Sequence, residues 1–241
     1  MNVLSLGAGV QSSTLAMMYS KGELKPKPDF AVFADTQGEP VAVYKWLDWL
    51  EKQLTFPVYR VSKGNLAIDS LTIKTSKKTG NKYLKHSVPF FLFKDHKPKG
   101  LLIRGCTTDY KIQPIQQFVR KKCKVKKGEK KIVVNMIIGI STDEIVRMKK
   151  SKIKWIQNTY PLIENNISRK MCLEWFKKNN LKLPPRSACI FCPYHQKSYW
   201  ADLKKNSLKE FKQAVEYEKK AKKTYKIIFQ NIKSYNENYD V

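Results

Sequence analysis

The chain has 241 residues and a mass of 28.1 kDa, with 47 Lys and Arg against 20 Asp and Glu, a formal charge of +27. A 42% hydrophobic and 12% aromatic content supplies the core-forming side chains that a disordered polyelectrolyte lacks, and this length needs no disulfide staples. Only six of the basic residues are Arg, so the surplus is one of lysine: either a surface that attracts polyanions or a solvated background set by composition.

Taken in chain order, Asn2–Leu6 reads as a short buried strand and Gln11–Ser20 as a helix beginning directly after Gly7-Ala8-Gly9. Residues 1–20 are uncharged but polar in places, with no basic residue ahead of the apolar part. They suit neither a signal peptide nor a membrane span, and a cytoplasmic protein without membrane contact is expected. Phe30–Ala34 is a second strand and 35–40 a loop. Val41–Leu54 is a helix with Val43, Trp46, Leu47 and Leu50 on one face, and 57–61 is a third strand. This alternation predicts a doubly wound parallel α/β sheet.

The alternation breaks over 62–105, a basic, turn-rich insertion with an apolar piece at Val88–Phe93. A helix is expected over Thr107–Lys122, then a charge run over Arg120–Lys131, then a strongly apolar and central strand over Ile132–Ile138. Residues 168–180 and everything from Tyr199 onward read as helical. We expect a nucleotide-binding α/β domain over 1–150, and over 151–241 a helical, Cys-bearing part packed on it as one unit.

The first loop has the parts of an anion site. Small residues let backbone N–H groups approach phosphate, and the helix N-terminus adds partial positive charge, with Ser12 and Ser13 as further donors. It has neither the Gly-Lys-Ser/Thr of a P-loop nor a third glycine for G-x-G-x-x-G. The alternative is a turn that only permits tight strand–helix packing. Asp35, at a strand end, suits a ribose or Mg²⁺ contact, or a plain turn.

Five cysteines cannot all pair, and Cys189-Ile-Phe-Cys192 has the spacing of a metal or redox pair. With Cys106 and Cys172 it would complete a four-thiolate set for a 4Fe-4S cluster or for zinc; reduced thiols are the third reading. Cys123 reads as an incidental surface thiol, and His195 as structural rather than liganding. Among so few arginines, Arg60, Arg104, Arg147, Arg169 and Arg186 all stand beside motif segments; of these Arg104 and Arg147, with Lys111, suit phosphate, the alternative for each being a surface ion pair. Asp143 and Glu144 either orient a metal or nucleophile or begin a helix.

Gly7–Ser13 resembles the pyrophosphate loop of the adenine nucleotide α-hydrolase superfamily. Asp35-Thr-Gln-Gly-Glu-Pro40 with Tyr44, Arg104-Gly-Cys106 through Lys111 to Pro114, Gly139 through Arg147, and Ser187 through Pro193 together resemble the phosphoadenosine-phosphosulfate (PAPS) reductase-like family, many members of which are phage-encoded. The resemblance spans residues 1 to about 205. It implies ATP, or APS or PAPS, with Mg²⁺, held by Ser5, Gly7, Ala8, Gly9, Gln11, Ser12, Ser13, Asp35, Thr36 and Arg60. It implies catalytic roles for Ser12, Asp35, Arg104, Lys111, Asp143 and Arg147, and a cluster on Cys106, Cys172, Cys189 and Cys192.

The departures are Gln11 where the loop usually has Asp, Gly7 where it has Ser, and Thr107 where iron–sulfur members carry a second Cys. No Cys follows Cys192, which points away from ordinary PAPS reduction, since that chemistry needs a thiolate nucleophile. The expected activity is attack on the α-phosphate of ATP, coupled to sulfur transfer to a nucleic acid (tRNA or DNA) or a small substrate, with a sulfur donor. The alternatives are a sulfonucleotide reductase using an external thiol or thioredoxin-like reductant, and a non-catalytic nucleotide- or nucleic-acid-binding protein.

Overall fold

The computed structural model describes residues 1–85, 88–94, 97–230 and 239–240. In chain order the elements are β1 (Asn2–Leu6), α1 (Val10–Ser20), β2 (Phe30–Asp35), α2 (Val41–Gln53), β3 (Val58–Ser62), α3 (Leu66–Asp69), β4 (Ile73–Thr75), β5 (Lys82–Leu84), β6 (Phe91–Lys94), β7 (Lys97–Leu101), α4 (Gly105–Thr107), α5 (Gln113–Lys122), β8 (Val134–Ile138), β9 (Ile156–Thr159), α6 (Pro161–Glu164), α7 (Arg169–Lys178), α8 (Lys197–Asn206) and α9 (Leu208–Gln230). A π-helical turn, Thr108–Ile112, precedes α5, and a 3-10 turn, Thr142–Arg147, follows β8. No helix among the described residues is long and apolar enough to cross a membrane.

The chain divides into two compact units that interleave in sequence. The first holds Met1–Asp35, Val41–Ser62 and Gln113–Ser187, and the second holds Thr36–Pro40, Lys63–Ile112 and Ala188–Val241. The sequence-based boundary near residue 150 falls inside the first unit.

The first unit is a doubly wound α/β sheet, five parallel strands in the order β3-β2-β1-β8-β9. Alternation along each strand sorts side chains to two faces. Leu4, Leu6, Phe33 and Ile137 join α1, α2 and α7 in one core, while Val3, Phe30, Val32 and Met136 join α5 in the other. Helix α1 carries no charge and is buried nearly all round, so the sheet and its helical neighbours rather than solvent surround it.

β8 begins at Val134, two residues later than the sequence suggests, and β1 rather than β8 takes the middle of the sheet. β9 was not foreseen. Its Ile-Gln-Asn-Thr is too polar for a buried-strand reading, and edge pairing with β8 determines it.

The second unit contains the hairpins β4–β5 and β6–β7, with α8 and α9. Its core gathers Leu66, Val88, Phe90, Tyr110, Cys189, Phe191, Tyr217 and Tyr225. The stretch expected as a helix, Thr107–Lys122, is helical throughout, with a π-helical turn over Thr108–Ile112; Tyr110 in that turn joins the second unit's core with 0% exposure.

Candidate functional site

In the first unit, β1 ends in Gly7-Ala8-Gly9 and α1 starts at Val10. Ala8 takes a left-handed conformation (φ 54°), which turns the chain sharply into the helix. Gly9 caps the helix without a side chain, so the N–H groups of Val10, Gln11 and Ser12 have no intrahelical acceptor. The Gly7 N–H donates to Ser12 Oγ at 3.1 Å, and Ser12 Oγ donates to the Gly9 carbonyl at 3.3 Å, tying the loop across itself. A Cβ at Gly139 would lie 2.9 Å from the backbone of Ser12, so only glycine lets the end of β8 approach the loop.

Ser13 is elsewhere: it has 0% exposure, and its hydroxyl accepts from Trp46 Nε1 at 3.0 Å, fastening α1 to α2. Ser5 lies within β1, in register with Val32 and Ile138.

Gln11 organises the mouth of this loop. Its Oε1 accepts from Arg169 at 2.8 Å, and its Nε2 lies 3.3 Å from Glu144 Oε2 and 3.4 Å from Ser141 Oγ. These partners fix the amide orientation. Asp143 accepts from the Arg169 N–H and from Ser141 Oγ, and the Arg169 N–H in particular holds its carboxyl below the usual range. Arg147 pairs with Glu144. Two arginines, two carboxylates and the helix N-terminus therefore meet at one end of the parallel sheet, where such folds bind ligands.

The sequence singled out Gln11, Asp143 and Arg147. It did not select Ser141 or Arg169, although the scarcity of arginine was a signal for the latter. Asp35 accepts from the Tyr44 hydroxyl at 2.8 Å. Arg60 pairs with Asp48 and Glu51 on α2.

In the second unit, Thr36–Pro40 packs on the Cys189–Cys192 turn. The Ile190 N–H donates to the Gly38 carbonyl at 2.8 Å, and Thr36 Oγ1 lies 3.2 Å from Cys189 Sγ. A Cβ at Gly38 would meet the Phe191 ring at 2.8 Å. His195 braces the turn through Nε2, 2.8 Å from the Cys189 carbonyl, and stacks on Tyr199 at 3.5 Å, in keeping with a structural role.

Glu39 has no exposed side-chain surface and pairs with Lys111 Nζ at 3.0 Å. Burial lowers the Lys111 pKa, but Glu39 together with the Cys189 and Cys106 thiols outweighs it, and the ammonium is held above its ordinary value. Burial first, then Glu39, pushes the Cys189 thiol up to about 12. Burial also raises Cys192, against the opposing pull of the Tyr194 N–H and Arg104. Arg104 lies 5.3 Å over the Tyr194 ring. Glu39 is a further residue that sequence reasoning did not select, its signal being the Gly-Glu-Pro after a strand end.

The four cysteines singled out by the sequence are divided between the two units. Cys106, Cys189 and Cys192 share the second unit's core, whereas Cys172 projects from α7 into the first unit's core beside Leu15, Leu162 and Phe176, with 0% exposure. Its helical spacing before Phe176 dictates that burial, and desolvation raises its thiol pKa. Among the described residues no group of three or more His, Cys, Asp or Glu side chains is arranged to hold a metal ion.

No protein-family model and no curated protein matches the sequence. Among solved structures, the chain is similar to a PAPS reductase from Candida auris in complex with phosphate. The identity is 14% over 76% of this chain and 74% of that one, with a TM-score of 0.44. It is also similar to the U34-tRNA thiolase NcsA from Methanococcus maripaludis with its 4Fe-4S cluster. That identity is 15% over 90% of this chain and 71% of that one, with a TM-score of 0.44.

Proposed function

We propose that the protein binds an adenine nucleotide at the Gly7–Ser13 loop and activates an acceptor at the α-phosphate for sulfur transfer. The loop carries this reading: three helix-terminal N–H groups face the end of the sheet beside Arg169 and Arg147. In the reaction an acceptor oxygen attacks the α-phosphorus, the bond to the bridging oxygen breaks, and pyrophosphate leaves. The N–H groups and guanidinium ions stabilise the charge that develops on the leaving group. A sulfur nucleophile from a donor then displaces AMP. The acceptor is a nucleic acid or a small polyanion.

Pyrophosphate release from ATP tests the reading. It should be measurable with the wild-type chain and fall by about tenfold or more in Ser12→Ala and Arg169→Ala, as expected for lost transition-state donors. Gln11 favours a second reading, in which ATP is bound without turnover. Its amide already joins Arg169 to Glu144, in a loop where an acidic side chain is usual. Tight ATP binding with no pyrophosphate released would decide for that one.

A further inference from the structure

Within the first unit, the two faces of the sheet carry charge differently. On the face of α2 and α7 the signs are interspersed: Asp48 and Glu51 hold Arg60, and Lys170 lies 3.9 Å from Glu174. On the face of α5 they are not. From Arg120 to Lys131 eight of twelve residues are cationic, and from Lys149 to Lys154 four of six are lysine. The single carboxylate in these runs, Glu129, is engaged by the N–H groups of Lys130 and Lys131.

The first run comprises the last turn of α5 and the loop that follows it. The Arg120 guanidinium donates to the Val125 and Lys126 carbonyls, while Cys123 and Val125 pack on the core that contains Trp155. Between the runs lies a cleft of about 320 Å³ lined by Gln113, Gln116, Gln117, Arg120, Ile153 and Trp155. Lys152 and Lys154 adjoin the lining residue Ile153 in sequence and are exposed.

The geometry points to this face as the docking surface for a single-stranded RNA segment, with phosphates on the two lysine runs and one unpaired base in the cleft. Glutamine amides match the donor–acceptor edges of a base, adenine above all. A concave site rimmed by cations suits a strand with splayed bases better than a flat lipid surface. The inference deepens the proposed nucleic-acid acceptor and rests on that reading.

Fluorescence anisotropy with a labelled single-stranded RNA of roughly 20 nucleotides tests it, using the full chain. The triple variant Lys126→Glu, Lys127→Glu, Lys130→Glu should bind at least about tenfold more weakly. Its slope of log affinity against log salt should be shallower by about 2, as expected for three lost contacts to a single strand. The matched variant Lys170→Glu, Lys177→Glu, Lys178→Glu on α7 should lose less than about threefold. Gln116→Ala should reduce the preference for the single strand over a duplex of the same sequence, which a purely electrostatic surface would not show.

Equal losses in the two triple variants would overturn the proposal, as would equal competition by phosphatidylserine vesicles or by single-stranded DNA. Calorimetric binding of ATP to the wild-type chain separates the failures. Absent ATP binding sinks the nucleotide reading, whereas intact ATP binding with RNA affinity untouched by the first triple variant sinks this one.

Discussion

The Gly7–Ser13 loop and the Cys189 neighbourhood are built on opposite plans. In the loop the helix-terminal N–H groups lack intrahelical acceptors, and the side chains hold one another: Ser12 ties the turn, Ser13 anchors Trp46, and Gln11 joins Arg169 to Glu144. Around Cys189 it is side chains that meet, with a fully buried Glu39 matched to Lys111 near a Cys189 thiol whose pKa burial raises. The first arrangement needs small residues and a helix start. The second needs three distant segments to fold against one another.

The largest effects should come from breaking each plan at its tightest point. Lys111→Met removes the cation that faces the buried Glu39 carboxylate and should destabilise the protein by about 3 kcal/mol in urea unfolding. Adding Glu39→Gln should recover most of that loss, because the double change removes both charges. Additive losses would show that the two residues act separately.

Gly139→Ala tests the loop. Its new Cβ would press on the Ser12 backbone, and the shift needed should cost about 1–3 kcal/mol and greatly weaken ATP binding. Stability falling without loss of ATP binding would detach the loop from the nucleotide.

Alkali sharpens the comparison. Cys189 has a folded pKa near 12 against 9.0 for an unperturbed thiol. Above pH 9 the unfolded chain loses a proton that the folded chain keeps, so stability should decline as pH rises from 9 towards 12. Cys189→Ala should flatten that decline, as read by thermal melts across the range.

The smallest effect belongs to Arg60→Gln. Asp48 and Glu51 are surface partners, so the change should cost under about 1 kcal/mol and leave ATP affinity unchanged. A large loss of affinity would return Arg60 to the nucleotide site.

Much of the sheet was legible because its signals are local. Asn2–Leu6 and Phe30–Ala34 are continuous apolar runs, and Val43, Trp46, Leu47 and Leu50 recur at helical spacing. β9 was not, since Gln157 and Asn158 become strand residues only through pairing with Asn135 and Met136. At the loop, Gly7, Gly9 and Ser12 could be picked out from residue type, but Ser13 could not be sorted from Ser12, because their roles differ only in which way adjacent positions on a helix point.

The sequence by itself determined a parallel α/β sheet, an anion-suited turn at the first strand end, and a lysine surplus, since periodicity, small residues and composition are properties of neighbouring positions. Tertiary structure alone decided that Cys172 joins Phe176 in the first unit's core, that Glu39 meets Lys111, and that two lysine runs flank one glutamine-lined cleft. Each of these depends on burial and on contacts between residues far apart in the chain, which no local pattern of side chains encodes.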